Sequence, residues 1–202
     1  LGVLKERNTL LLSLALVGPF AMFIGYSSWL PTYYNEEFNM PLQQGNSLLA
    51  IPPLMGILVN ILSGFILARL GLRKPLLLVP GLLFPISAFG AFYFDNTLVI
   101  IAGILLMGLS FWLFLPTVLT IVMELPGVSA DKVAMITAGA LTFGNLSTIV
   151  SPLFIGITTD MLGSFVPSLS ILAILPTTAI LAAFLLPETG PRAKRRSSLP
   201  SS

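Results

Sequence analysis

The side chains of this sequence that could do chemistry are neutral hydrogen-bonding groups set within long apolar runs. Between residues 133 and 159, a helical projection at about 100° per residue places an apolar arc on one side, including Phe143. The other side carries Thr137, Thr142, Asn145, Thr148 and Ser151. Hydroxyls and amides in this arrangement can bond a solute or a neighbouring helix, and both interpretations stay open. Groups of this kind can recognise a molecule or a neighbouring helix, but they do not make or break bonds.

A second polar stripe lies between residues 48 and 68. Its members share small size or an amide group and fall on a narrow helical face: Pro53, Gly56, Asn60, Ser63 and Gly64. Small residues let helices approach closely, and an Asn can bond across the contact, so close packing is the favoured interpretation of this stripe. Contact between Asn60 and a solute is the alternative.

Aromatic residues supply the remaining candidates. Tyr26, Trp29 and Tyr33 are spaced three and four residues apart near the end of the first apolar run, which favours an aromatic belt at the membrane interface over a gate. Trp112 lies in the middle of its run, where its N–H needs a partner, so we expect it to line a cavity. The predicted substrate pathway therefore comprises Asn145, Thr142, Thr148, Asn60, Trp112 and Tyr26.

Several classes of function are disfavoured by what the sequence lacks. It has no Cys and no His, which removes Cys or His metal sites, Ser–His nucleophile pairs and imidazole proton relays. No Asp, Glu, Lys or Arg lies in the middle of an apolar run, so no residue there marks a proton or ion pathway. We expect no catalytic residue, no metal and no cofactor, and the net charge of +2 gives no reason to expect a nucleic-acid partner.

These residues must be positioned by helices that cross a membrane. The chain has 202 residues, 55% of them hydrophobic, and a mean hydropathy of +0.97. A span needs about 20 apolar residues, and six segments qualify, at about 9–30, 48–68, 75–94, 97–123, 133–159 and 166–187. The prediction is an all-α membrane protein whose bundle covers residues 1–190. Residues 191–202, a basic and Ser-rich tail, are expected to be disordered.

The charges fall on alternate sides of these spans. All the Lys and Arg residues lie before the first span or after the second, fourth and sixth: Lys5, Arg7, Arg69, Arg73, Lys74, Lys132, Arg192, Lys194, Arg195 and Arg196. The other loops hold only acids, among them Glu36, Asp95 and Asp160. The positive-inside rule therefore places both termini in the cytoplasm of a plasma (inner) membrane protein.

Two turns of similar sequence suggest an internal repeat. The second span ends Gly64-x-x-x-Ala68-Arg69-x-Gly71, and the fifth ends Gly156-x-x-x-Asp160-x-x-Gly163. The same offset carries the first span onto the fourth. The six helices are thus predicted to form two three-helix repeats, the second inverted relative to the first because three is an odd number.

The turn Gly64-x-x-x-Ala68-Arg69-x-Gly71-x-Arg73-Lys74 resembles the loop signature of the major facilitator superfamily. The sequence Pro187-Glu188-Thr189-Gly190 is similar to the motif that ends the last helix in many members. The stretch Glu124-Leu-Pro-Gly-Val-Ser129 is similar to the cyanate-permease-like branch. Together these motifs cover the chain as a C-terminal six-helix half.

The resemblance implies a secondary transporter that moves a small solute, and in this branch a small organic or inorganic anion, by alternating access. It also implies an N-terminal six-helix half as partner, so we expect this chain to be a piece of a longer protein. The signature's acid is replaced by Ala68. A conformational role for Gly64, Arg69, Gly71, Arg73 and Lys74, with Gly156, Asp160 and Gly163 in the second copy, therefore stands beside a purely topological role for the cations.

Two other classes of function are compatible with this sequence. A self-sufficient six-span channel or pore-forming oligomer would have the same topology, although the sequence shows neither a charged ring nor a carbonyl-rich re-entrant loop typical of a filter. An inert membrane scaffold is a third interpretation. Binding of an anion would also need a cation, which these spans lack.

Overall fold

The protein, whose architecture is given by a computed structural model, is described here over residues 6–191. Within that range the chain is helical and has no β-strand. The helices are α1 (Arg7–Phe38), α2 (Leu42–Leu49), α3 (Ile51–Leu70), α4 (Lys74–Phe92), α5 (Thr97–Met123), α6 (Ala130–Leu162), α7 (Val166–Ile174) and α8 (Thr178–Leu185), with a 3₁₀ turn at Leu175–Thr177. Six spans result, because α2 with α3 and α7 with α8 each form one span. The prediction of an all-α membrane protein is confirmed, whereas the predicted tail lies outside the described residues apart from residue 191.

The first span is longer than the sequence predicted. α1 continues through Pro31 to Phe38, where a loop was expected, and ends at Asn39 in the left-handed conformation (φ 52°). Asn is one of the few residues that tolerate this conformation. The hydroxyls of Tyr33 and Tyr34 donate to the carbonyls of Phe92 and Ala91, at 2.7 and 2.6 Å. These bonds hold the extension of α1 against the end of α4.

The spans form two layers. α3 packs on α5, α5 contacts α1, and α1 packs on α6, which orders four spans side by side as α3, α5, α1 and α6. α4 packs on α5, and the α7–α8 span packs on α1 and α4. The core between the layers is filled by large buried side chains such as Tyr26, Phe84 and Phe114. The two outer members of the first layer, α3 and α6, are left with the most exposed surface.

The contacts between spans have the pattern that two inverted three-helix units predict. Exchanging the first three spans with the last three turns the α1–α6 contact into an α5–α3 contact. It likewise turns the contact of α1 with α8 into a contact of α5 with α4. All of these contacts are present. The arrangement therefore makes α3 and α6 equivalent positions at opposite edges of one layer.

Candidate functional site

The turn between α3 and α4 holds a buried ion pair. Gly71 ends α3 with a left-handed backbone (φ 62°), which glycine adopts without steric cost. Arg73 follows, with 5% of its surface exposed, and donates to both carboxylate oxygens of Glu124, at 2.9 Å from Nε and 2.7 Å from Nη2. Its Nη1 donates to the Leu67 carbonyl. The hydrogen bond with Glu124 raises the pKa of the Arg73 guanidinium, so this residue stays charged.

A second carboxylate closes the same end of the bundle. Glu188, which follows α8, accepts from the backbone N–H groups of Arg73 at 2.6 Å and of Lys74 at 3.0 Å. The Thr189 hydroxyl donates to Glu124 at 3.3 Å. We call the cluster of Arg73, Glu124 and Glu188 the charged junction. It joins the turn after α3, the end of α5 and the segment after α8, all within one bundle.

The other residues of the loop motif have different surroundings. Arg69 and Ala68 are exposed at the end of α3, and Lys74 reaches the Phe184 carbonyl with its Nζ at 3.4 Å. In the second copy, Gly163 ends α6 with φ 67°, as Gly71 ends α3, and Asp160 is exposed. The two copies thus share their helix-ending glycine, while a buried ion pair follows only the first copy.

Gly64 and Gly156, which the sequence paired, are not equivalent in packing. A Cβ at Gly64 would meet no atom within 4 Å, whereas one at Gly156 would lie 3.1 Å from the Trp29 ring. The counterpart of Gly156 is instead Gly56, where a Cβ would lie 2.6 Å from the Trp112 ring. The sequence offset that aligns the ends of α3 and α6, at Gly71 and Gly163, therefore differs from the offset that aligns their tryptophan contacts, at Gly56 and Gly156.

The two tryptophans make matching contacts between spans. Trp29 Nε1 on α1 donates to the Pro152 carbonyl on α6 at 3.0 Å, and Trp112 Nε1 on α5 donates to the Pro52 carbonyl on α3 at 2.8 Å. In each case a glycine four residues after the proline leaves room for the indole. The partner that the sequence demanded for Trp112 is thus a backbone carbonyl. Trp29 thus attaches the outer helix α6 to α1, and Trp112 attaches the outer helix α3 to α5.

The polar side of α6 is partly open. Thr142 and Asn145 are exposed, Thr137 and Thr148 are half-buried, and Ser151 is buried. The threonine hydroxyls donate to carbonyls of their own helix, such as Thr142 to Ala138 at 2.8 Å. Within residues 6–191 the Asn145 amide makes no side-chain hydrogen bond, which leaves its donors and its acceptor available.

The apolar arc of α6 divides into two parts. Leu146 and Leu153 are 51% and 60% exposed, as a surface that faces lipid requires, but Ile136 is fully buried and Phe143 is half-buried. Ile136 is covered because the arc reaches round to the side on which α6 contacts the rest of the bundle. The expected lipid face is therefore narrower than the sequence predicted, and Phe143 does not belong to its exposed part.

Asn60 lies on the open side of α3. It is exposed, and its Nδ2 donates to the Gly56 carbonyl one turn back at 2.8 Å. Gly64 follows it on the same side, again with open space beside it. Gly56 and Ser63, by contrast, are buried. The stripe thus splits into a packed half and an open half that contains Asn60.

Two of the three aromatic residues on α1, Tyr26 and Tyr33, are buried in the bundle, which does not fit a belt facing the membrane interface, and Trp29 is half-buried. Tyr26 is fully buried, and its hydroxyl donates to the Leu169 carbonyl on α7 at 2.8 Å. Tyr33 is 4% exposed and bonded to Phe92. Tyrosine hydroxyls buried in an apolar core need such partners. The hydrogen that the Tyr26 hydroxyl can donate is therefore already used within the bundle.

Among the described residues, no group of three His, Cys, Asp or Glu side chains could hold a metal ion. The polar candidates fall into two groups. Asn60 and Trp112 lie near the α3–α5 contact, and Thr142, Asn145 and Thr148 lie on α6 beyond α1. Both groups belong to the layer of four spans, at its opposite edges.

Comparison with known proteins decides the family. The sequence matches the family model described as Major Facilitator Superfamily over residues 1–134. The chain belongs to the major facilitator superfamily. The match runs through the first four spans and into α6, and it includes the charged turn at Arg73. No curated protein matches the chain.

As a member of this superfamily, the chain is a multi-pass membrane transporter, from a family that is generally not enzymatic. Sequence reasoning identified Arg73 but missed that Glu124 and Glu188 surround it. It also missed that Gly56 and Gly156 leave room for the tryptophan rings. The spacing Pro-x-x-x-Gly, present at Pro52 and again at Pro152, could have revealed these two tryptophan contacts.

Proposed function

We propose that this chain is the C-terminal six-helix bundle of a secondary transporter that moves a small solute by alternating access. Its partner in this proposal is an N-terminal six-helix bundle, and both termini face the cytoplasm of a plasma membrane. The two bundles rock against each other around a site at the middle of the membrane. The proposal refines the family assignment, which by itself establishes a membrane transporter of this kind.

The observation that carries the proposal is the uneven burial of the spans. In α1, 72% of the most apolar 18-residue stretch is buried inside the bundle. In the corresponding stretches of the α2–α3 span and of α6, only 22% is buried. α3 and α6 occupy equivalent positions in the two repeats. Their exposed sides are not uniformly apolar, since Asn60 lies on one and Thr142 and Asn145 on the other. A polar strip on a membrane helix is better matched by a second bundle and a solute path than by lipid.

Asn145, Thr142 and Asn60 are the proposed contacts with solute. Asn145 has an unused amide, and the Thr142 and Asn60 oxygens can still accept hydrogen bonds. Trp112 and Tyr26 are assigned to packing, because their N–H and O–H groups already donate to backbone carbonyls. Thr148 is half-buried and borders the same strip.

The proposed substrate is a small organic or inorganic anion, on the strength of the sequence around Glu124 to Ser129. Amide N–H and hydroxyl groups of these strips can donate to such an anion. No Lys or Arg lies in the middle of a span. The cation that balances the substrate's charge, and any residue that couples transport to an ion gradient, is therefore assigned to the partner bundle.

Uptake into vesicles tests this proposal. The protein containing both bundles is reconstituted, and uptake of labelled cyanate and of labelled small carboxylates is normalised to inserted protein. We expect Asn145→Ala to lower uptake about tenfold, which corresponds to one lost hydrogen bond of about 1.4 kcal/mol. The amount of inserted protein should stay unchanged, because within residues 6–191 the Asn145 amide makes no side-chain hydrogen bond that the substitution would remove.

Leu146→Ala is the matched control, since Leu146 is the next residue along the chain and is 51% exposed on the apolar side. It should leave uptake nearly unchanged. Equal losses from both substitutions would show that the polar strip has no special role. Loss of inserted protein for Asn145→Ala alone would assign Asn145 to packing.

A further inference from the structure

A cavity opens at the end of the bundle that carries the cations. Its volume is about 330 Å³, and it lies between the start of α1, the α5–α6 loop and the end of α8. Its polar edge is formed by Arg7 and Asn8. Its apolar floor is formed by Leu11, Leu125, Pro126, Leu185, Leu186 and Pro187. A cation and an amide in the same cavity as six apolar residues match the chemistry at the boundary between the headgroup and the acyl chains of a lipid.

Arg7 differs from the other described cations at this end. Arg73 is paired with Glu124 at 2.7 Å, Lys132 with Glu6 at 3.1 Å, and Lys74 reaches the Phe184 carbonyl. Among residues 6–191, the Arg7 side chain makes neither an ion pair nor a hydrogen bond. It is exposed at the cavity edge, so its charge is available to a ligand.

The acids next to the cavity are already engaged. Glu6 precedes Arg7 and binds Lys132, and Glu124 precedes Leu125 and binds Arg73. Glu188 follows Pro187 and accepts from the N–H groups of Arg73, Lys74 and Gly190. These partners reduce the repulsion that an anion in the cavity would experience. In the sequence, four further cations follow Pro187, namely Arg192, Lys194, Arg195 and Arg196.

We propose that this cavity binds the phosphate-bearing headgroup of an anionic phospholipid, with Arg7 and Asn8 on the phosphate and the apolar floor against the first acyl-chain carbons. In the proposed topology the lipid belongs to the cytoplasmic leaflet, whose anionic lipids attract basic segments at the membrane surface. The inference rests on the cavity and its charges, and it does not require that the chain transport any particular solute.

Binding of lipid to the full 202-residue chain in neutral detergent tests the proposal. Native mass spectrometry compares phosphatidylglycerol with phosphatidylcholine of the same acyl chains. We expect phosphatidylglycerol to bind about fivefold more tightly, since one cation near the surface contributes about 1 kcal/mol to binding of an anionic lipid. Arg7→Gln should remove that preference, and Arg69→Gln, at an exposed cation outside the cavity, should keep it.

Two further arms separate the sources of the phosphate and guard against misfolding. Leu185→Trp, which fills the cavity floor without changing charge, should weaken binding of both lipids. Excess inorganic phosphate should fail to displace phosphatidylglycerol, because it cannot use the apolar floor. A preference that survives Arg7→Gln would overturn the proposal. Displacement by inorganic phosphate would overturn it as well, in favour of a site for a soluble anion.

Discussion

The turns that end α3 and α6 use the same backbone device with different surroundings. Each helix stops at a glycine in the left-handed conformation, Gly71 at φ 62° and Gly163 at φ 67°. After Gly71 comes Arg73, buried against Glu124 and Glu188, whereas after Gly163 the chain enters α7 with Asp160 exposed nearby. The backbone signal ends the helix in both repeats, and the ions turn only one of these ends into a junction of three segments.

This difference shows how inverted repeats can diverge. Equivalent positions keep the features that the backbone requires, because a helix must end at each of them. In the proposed topology the two turns lie on opposite sides of the membrane, and the positive-inside rule favours cations on the cytoplasmic side. The charged junction is therefore expected at one turn only, and its removal should affect one end of the bundle.

The largest effect is expected when labelling of the two turns is compared, because the proposed topology places them on opposite sides of the membrane. The sequence contains no cysteine, so Leu72→Cys and Ser164→Cys give clean single labels at residues that are both half-buried. An impermeant maleimide should label Ser164→Cys from outside only and Leu72→Cys from inside only. The all-or-none contrast follows from the one-sided cations. The opposite pattern would reverse the topology.

The next largest effect is expected at the charged junction. Glu124→Ala leaves the Arg73 guanidinium, 5% exposed, without its carboxylate, and we expect a loss of about 3 kcal/mol in the free energy of unfolding. Denaturant titration in detergent, followed by circular dichroism, measures the loss. Asp160→Ala at the other turn should change stability by less than about 0.5 kcal/mol, since Asp160 is exposed.

The double variant Arg73→Met with Glu124→Leu sharpens this test. It removes both charges and keeps most of the volume, so it should be less destabilised than either single charge deletion. A double variant as unstable as the sum of its singles would mean that Arg73 and Glu124 contribute independently.

A smaller effect is expected at the glycines themselves. Ala at either position must adopt a left-handed backbone, so Gly71→Ala and Gly163→Ala should each cost about 1–2 kcal/mol of stability. Gly71 should give the larger value, because its carbonyl lies against Gly190 and restricts movement of the turn. Gly64→Ala is the control, because Gly64 lies within α3 beside open space. This substitution should raise the free energy of unfolding of the protein by about 0.5–1 kcal/mol. Equal costs at all three positions would show that the left-handed conformation is unimportant.

The spans could be predicted from the sequence because hydropathy is local. Six apolar segments are read directly from the chain, and α5 begins and ends where expected, at Thr97 and Met123. The end of α1 could not be predicted, since Pro31 signals a turn and only the Tyr33 and Tyr34 bonds to α4 show why the helix continues. A local signal fails where a distant contact decides.

The candidate site was harder to predict than the fold for the same reason. The sequence indicated that the Trp112 N–H needs a partner, but the Pro52 carbonyl that accepts it lies 60 residues away along the chain. The carboxylate that binds Arg73 is 51 residues away. Helical periodicity assigned Asn145 to the polar face of its helix, but it does not say which neighbour covers that face. The exposure of Asn145 could therefore not be predicted from the sequence.

Because of the tryptophan contacts, the intrinsic fluorescence of the protein can report on the packing of its outer spans. Trp29 and Trp112 are the only indoles in the sequence, and each is hydrogen-bonded at one of the two seams that attach an outer span to the layer. Emission from a Trp29→Phe variant therefore reports the α3–α5 seam alone, and emission from Trp112→Phe reports the α1–α6 seam. A wavelength shift in one variant and not in the other would reveal which outer span loosens first during heating or solute exchange.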